Sequence, residues 1–192
     1  AASGNVLQTL DHSSVYGSFG DVADSDVDVE TLAVTTTGTF FGNYGVLSLS
    51  STGAYTYTLY ASEAQAIAAG HAGGYNAVQA RDVGDAPLTD SFSYTASDGT
   101  ATANASLTVS IFGANDAPSA QADTNWVLED GPSITGNVIV GETHGGDPST
   151  TLSFADIADT DVDVETLTVA SVNGDVAKVG VAVTGSYGTL TL

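Results

Sequence analysis

Two runs of carboxylates carry the chemistry of this chain. Asp24, Asp26 and Asp28 stand at alternate positions, and so do Asp159, Asp161 and Asp163. In extended backbone, residues two apart point to the same side. Such spacing offers several hard oxygen donors to one cation, and calcium collects roughly six to eight of them from carboxylates, amide side chains, carbonyls and water. Both runs belong to one repeated phrase. Asp21-Val-Ala-Asp-Ser-Asp-Val-Asp-Val-Glu-Thr-Leu-Ala-Val34 returns as Asp156-Ile-Ala-Asp-Thr-Asp-Val-Asp-Val-Glu-Thr-Leu-Thr-Val169. Repetition of the spacing favours metal binding over a merely solvated acidic loop, because like charges this close oppose ionisation of one another unless a cation lies between them.

Further oxygen donors lie where the first copy of the repeat gives way to the second. Asn115 and Asp116 offer an amide oxygen, a carboxylate and backbone carbonyls just ahead of Pro118. Glu129 and Asp130 follow the opening of the second repeat. The sequence therefore predicts a calcium site at this joint from Asn115, Asp116, Glu129, Asp130, Asp159, Asp161 and Asp163, with Asp90 or Asp98 as contributors from the first repeat. Asp98 also suits its own Asp-Gly turn, and Glu30 and Glu165 suit either a ligand role or exposure to solvent. Asp24, Asp26 and Asp28 are expected to form a partial site only.

Other chemistries find little to work with. No nucleophile–base pair or cofactor motif is evident, so an enzyme is not expected. His12, His71 and His144 lie in Gly- or Ser-rich stretches without a surrounding motif and read as surface histidines. The chain has no cysteine, which excludes thiolate metal sites and disulfides. Its 23 acidic residues face only Arg81 and Lys178, a formal charge of −21. Phosphate contacts require Lys and Arg, so a nucleic-acid partner is excluded. Membrane insertion is not expected either, and the start of the chain shows no signal peptide, as a piece of a longer secreted chain would not.

The elements that must position these groups are short strands. Leu47 with Leu49, Tyr55 with Tyr57 and Leu59, Phe92 with Tyr94, and Leu107 with Val109 and Ile111 all alternate with Ser, Thr or Ala. This is the period of a half-buried antiparallel strand. Thr52-Gly53 and Asp98-Gly99 supply turns between them. Ser62 to Gly70 departs from the pattern: Ser62 caps a short helix, Gln65 completes a capping box and Gly70 stops it. A loop is expected from Gly73-Gly74 to Pro87. Many short strands with turns between them predict an all-β fold of tandem antiparallel β-sandwiches. The boundary falls near Pro118, giving repeats at 1–116 and 117–192. The first begins one strand late, without a counterpart of Trp126 to Pro132. In the second, Gly136-Asn-Val138 matches Gly4-Asn-Val6 and Tyr187-Gly-Thr-Leu-Thr-Leu192 matches Tyr44-Gly-Val-Leu-Ser-Leu49, after which the chain stops. Either the sequence is part of a longer chain, or strands of a neighbour complete the second repeat.

Several of these pieces together resemble the VCBS-type and cadherin-like repeats of giant bacterial RTX and biofilm-associated surface adhesins. They are the Glu129-Asp-Gly131 opening, the Gly-Asn-Val segment, the acidic phrase, Tyr-Gly-x-Leu-x-Leu, Gly53-Ala-Tyr-Thr-Tyr57, Phe92-Ser-Tyr94 with Asp98-Gly99, and Gly113-Ala-Asn-Asp-Ala-Pro118. The likeness weakens over residues 61–87. It implies immunoglobulin-like sandwiches in tandem, calcium at the joints, type I secretion and a place at the cell surface or in the biofilm matrix. The expected function is a calcium-stiffened structural extender whose partners are neighbouring repeats of the same chain. The alternatives are a polysaccharide-binding module that uses exposed aromatics, and a fibre subunit completed by other copies of itself.

Overall fold

The computed structural model describes residues 1–148 and 151–192, and its regular structure is mostly antiparallel strand. The chain divides into two compact units, Ala1–Asn115 and Asp116–Leu192.

The first unit holds β1 (Ala2–Asn5), β2 (Leu10–Asp11), β3 (Gly20–Asp21), β4 (Ala33–Val34), β5 (Gly38–Phe41), β6 (Gly45–Leu49), β7 (Ala54–Leu59), β8 (Leu88–Ser97) and β9 (Thr102–Ile111). One sheet runs β1-β7-β6-β5, another runs β4-β8-β9, and β2 and β3 form a separate pair. Alternation does what it predicts except at Leu59, which ends β7 exposed. In β6, Leu47 and Leu49 are buried while Ser48 is exposed, and in β7 Tyr55 and Tyr57 are buried while the threonines between and after them are exposed. Val34, Tyr94, Leu107 and Ile111 come from the other sheet into the same apolar cluster. Gly53 and Gly99 occupy the left-handed region at φ +82° and +97° in the two predicted turns, a conformation that costs glycine nothing.

The connection between the sheets is more helical than expected. The helix α1 spans Glu63–Ala68, with the Gln65 amide donating to the Ser62 side chain. The Gln65 carboxamide oxygen reaches the amide of Ala61, one residue ahead of the cap, rather than that of Ser62 itself. A second helix, α2 (Gly74–Gln79), replaces the predicted loop. Its N-cap is Gly73 at φ +86°, which has no side chain of its own to cap with. The glycine pair that reads as a loop signal therefore starts a helix, because the Glu63 carboxylate of α1 accepts from the amides of Gly73 and Asn76 and supplies the missing cap.

Three phenols of this core are tied to carboxylates. The Tyr55 hydroxyl donates to Asp21 at 2.8 Å, that of Tyr57 to Asp90 at 2.6 Å and that of Tyr94 to Asp24 at 3.0 Å. Burial, then the hydrogen bond to the carboxylate, raises all three phenols above the ordinary tyrosine range, Tyr94 to about 12. The folded state thus favours the neutral phenol. Its contribution is whole below the unfolded tyrosine value of about 10 and is lost as pH climbs past it. The expected result is a denaturation midpoint that is flat through neutral pH and falls above about pH 10, with Tyr94→Phe flattening part of the fall. A wild-type midpoint that stays constant across the alkaline range contradicts this.

The second unit has β10 (Glu142–His144) paired with β11 (Phe154–Asp156), and β12 (Val183–Thr184) paired with β13 (Thr189–Leu190). A 3-10 turn at Val176–Lys178 is capped by the Asp175 side chain. Among the described residues of this unit, Val172 is the one buried apolar side chain, whereas Val127, Leu128, Leu152, Ile157 and Val164 are exposed. Its order rests more on polar ties than on apolar packing.

Candidate metal centres

The first acid of the repeated phrase is structural in both units. Asp21 accepts from the amide of Asn5 at 2.7 Å, and Asp156 accepts from that of Asn137 at 2.6 Å. These are the asparagines of the two Gly-Asn-Val segments. The glycines ahead of them are required by space: a Cβ on Gly4 or Gly136 would lie 2.3 or 2.6 Å from the same carboxylate oxygen. The fourth position of the phrase is also tied down. Asp24 accepts from Tyr94, and Asp159 accepts from the amide of Gln121 at 2.7 Å. These bonds orient the phrase and take up carboxylate oxygen on Asp24 and Asp159.

The alternating acids beyond behave differently. In the second unit the Asp161 Oδ1 accepts from the Asp163 amide at 2.9 Å, and the Asp163 Oδ2 accepts from the Asp116 amide at 2.6 Å. Each carboxylate is thus fixed through one oxygen. The other oxygens, Asp161 Oδ2 and Asp163 Oδ1, are shielded from solvent and have no hydrogen-bond partner. Unpaired anionic oxygen withheld from water is costly unless a cation takes it. Glu165 joins them, so that donor atoms of Asp161, Asp163 and Glu165 all lie within 4.8 Å of one another. Val164, at φ +62°, reverses the backbone between Asp163 and Glu165. A β-branched residue there is a genuine outlier, and the first unit repeats it with Val29 at φ +67°.

The corresponding group in the first unit is Asp26, Glu30 and Asp98, again with donor atoms within 4.8 Å. Asp28 is exposed and lends its amide to the Asp26 side chain instead. Asp98 accepts from the amides of Ala101 and Thr100, and these bonds hold its carboxyl below the usual carboxylate range. It serves its turn and also stands in the acidic group.

Several expected ligands are therefore placed elsewhere. Asp90 is not a surface donor: it is 2% exposed, and it accepts from the amides of Asn43 and Tyr44 and from the Tyr57 hydroxyl. Among the described residues, Asp24, Asp28, Asp116, Glu129, Asp130 and Asp159 stand in no group of three possible ligands. Glu129 and Asp130 are exposed, with Asp130 in a left-handed turn at φ +59°. Asn115 closes the first unit and Asp116 opens the second, where its amide meets the acidic loop. Glu30 and Glu165, left open on sequence grounds, are drawn in because the positive-φ valines turn them back.

Two of the three histidines also differ from expectation. His12 Nε2 bonds to Asp21 Oδ2 at 2.9 Å, and His144 Nε2 lies 2.9 Å from Asp156 Oδ2 with its side chain only 9% exposed. The amide of Asn137, and then His144 beside it, hold the Asp156 carboxyl below its ordinary value. A third group of possible ligands results, Glu142, His144 and Asp156. Sequence reasoning missed it, although a signal existed: a histidine falls seven residues after the asparagine of Gly-Asn-Val in both repeats.

No helix among the described residues is long and apolar enough to cross a membrane. No family model, curated protein or solved structure matches the chain. The likeness to adhesin repeats rests on sequence motifs, and the fold itself defines an all-β protein with clustered carboxylates.

Proposed function

We propose that this chain is an extender segment of a secreted bacterial adhesin or biofilm matrix protein, made of immunoglobulin-like β-sandwich repeats and stiffened by calcium. The observation that carries the proposal is the pair of shielded, unpartnered oxygens on Asp161 and Asp163. Their carboxylates are held by backbone amides, and a donor oxygen of each lies within 4.8 Å of one on Glu165. An all-oxygen, anionic donor set suits a hard divalent cation, and the flexible shell of calcium tolerates ligands set by a loop better than magnesium, which demands near-octahedral geometry. Calcium bound here ties Asp116, the residue that opens the second unit, to that unit's acidic loop. The mechanism is electrostatic: the ion neutralises a carboxylate cluster in a chain of formal charge −21 and fixes the loop that carries it.

The polysaccharide alternative has less behind it. Tyr16 stacks on Phe112 at 4.6 Å and Phe19 meets the same ring edge-on at 5.7 Å, so these exposed aromatics are engaged with one another rather than arrayed for a sugar.

Calorimetric calcium titration of the wild type and of the double variant Asp161→Asn, Asp163→Asn tests the proposal. Asparagine keeps the shape and one oxygen of each ligand but removes both charges. Calcium affinity of this site is expected to fall roughly tenfold or more, since a bond to a charged group is worth about 1.5–3 kcal/mol. Equal affinity in the two proteins would refute the assignment.

A further inference from the structure

The group at Glu142, His144 and Asp156 differs from the two acidic groups in kind, because one of its donors is an imidazole nitrogen. The same elements recur in the first unit and give it a reference. There β2 pairs with β3 so that Leu10 faces Asp21, and His12 stands two residues beyond Leu10. In the second unit β10 pairs with β11 so that Glu142 faces Asp156, and His144 stands two residues beyond Glu142. Leucine in the first unit is thus glutamate in the second.

That exchange puts two carboxylates directly opposite one another across an antiparallel pair, an arrangement that destabilises a sheet unless something neutralises it. His144 lies on the same side of β10 as Glu142, because residues two apart in a strand share a face. Its side chain is nine-tenths buried, yet Nε2 is shielded and has no hydrogen-bond partner. In the first unit, by contrast, the His12 Nε2 makes a regular hydrogen bond to Asp21 at the same 2.9 Å separation, with its ring 33% exposed. A buried ring nitrogen 2.9 Å from a carboxylate oxygen, ion-paired with it yet out of line for a hydrogen bond, also has the spacing of two ligands to a common ion.

We infer that Glu142, His144 and Asp156 form a binding site for a divalent transition cation of the zinc type, distinct from the oxygen-only calcium groups. Imidazole nitrogen with carboxylate oxygen is a donor set that zinc and its neighbours accept and that calcium does not favour. Three protein ligands with one of them exposed leave a coordination position for water. The Asn137 amide, bonded to Asp156, fixes the carboxylate from behind, as outer-shell partners do in metal sites. Gly136 is needed there, because a Cβ would press on the same oxygen.

The test is a zinc titration of the full chain in millimolar calcium, which occupies the oxygen-only groups, read by calorimetry and by the imidazole nitrogen resonances. The expected result is one zinc bound, with the His144 ring shifting and the rings of His12 and His71 unmoved. The variant Glu142→Leu recreates the first unit's arrangement by changing an exposed side chain. It should weaken zinc roughly tenfold or more, while His12→Ala leaves zinc binding unchanged. His144→Ala should abolish it, with the circular dichroism of the variant compared with the wild type to establish folding. Zinc binding that is equal in Glu142→Leu and wild type, or that leaves the His144 ring unmoved, would overturn the assignment.

Discussion

Stripping calcium with a chelator should lower the melting temperature of the second unit by about 10–20 °C, the largest effect of any change in solution conditions. A ligand at about 100 times its dissociation constant stabilises the folded state by about 2.7 kcal/mol, and 1 kcal/mol moves the midpoint of a domain this size by about 4–8 °C. The second unit is the sensitive one for a structural reason. Among its described residues only Val172 is a buried apolar side chain, so little apolar packing opposes the repulsion within Asp161, Asp163 and Glu165. Thermal scans in calcium, in magnesium and in chelator measure this. Magnesium should restore only a small part of the loss, since it parts reluctantly with its water shell and tolerates few geometries. A melting curve that does not move on chelation would defeat the calcium reading of the chain, while leaving the zinc proposal to its own test.

The largest effect of a single substitution is expected in the first unit, at Asp90→Ala. Asp90 gathers the amides of Asn43 and Tyr44 at 2.8 and 3.0 Å and the Tyr57 hydroxyl at 2.6 Å, all at a site almost closed to solvent. The backbone has been fitted around it: a Cβ on Gly42 would lie 2.2 Å from its oxygen. Removing the carboxylate strands two amides and a phenol at once. Each buried donor left without an acceptor costs about 1–3 kcal/mol, so the total should be several kcal/mol. Tyr57→Phe, which removes one donor and keeps the ring, should cost only about 1 kcal/mol. Urea denaturation of the two variants checks the contrast. The loss in Asp90→Ala should persist in saturating calcium, because Asp90 takes no part in the acidic groups. A cost below that of Tyr57→Phe would mean that the network contributes little.

These two predictions concern carboxylates that look alike in the sequence. Asp90 lies between Thr89 and Ser91 in an ordinary strand pattern, and no neighbour in the chain shows which donors will close around it. The donors that make it structural come from Asn43 and Tyr44, 47 and 46 residues away. Asp21 and Asp156 are a similar case: they open the acidic phrase, yet their oxygens belong to Asn5 and Asn137 and to a histidine beside each. Glu30 and Glu165 illustrate the reverse. Their place beside the other acids depends on valines at positive φ, a conformation that the residue type argues against.

What the residues determined unaided was everything written at short range. Alternation over two residues set the strands around Leu47, Tyr55, Tyr94 and Leu107, because burial of one face is decided by neighbours in the chain. The cap at Ser62 and the turn at Gly99 were legible for the same reason, and repetition marked Asp161 and Asp163 as candidate ligands. Tertiary structure decided which acids became scaffold and which kept a shielded oxygen without a partner. It also brought a glutamate, a histidine and an aspartate together across β10 and β11. A carboxylate's role is set by the donors that reach it, and in a fold of long-range strand pairings those donors come from distant parts of the sequence.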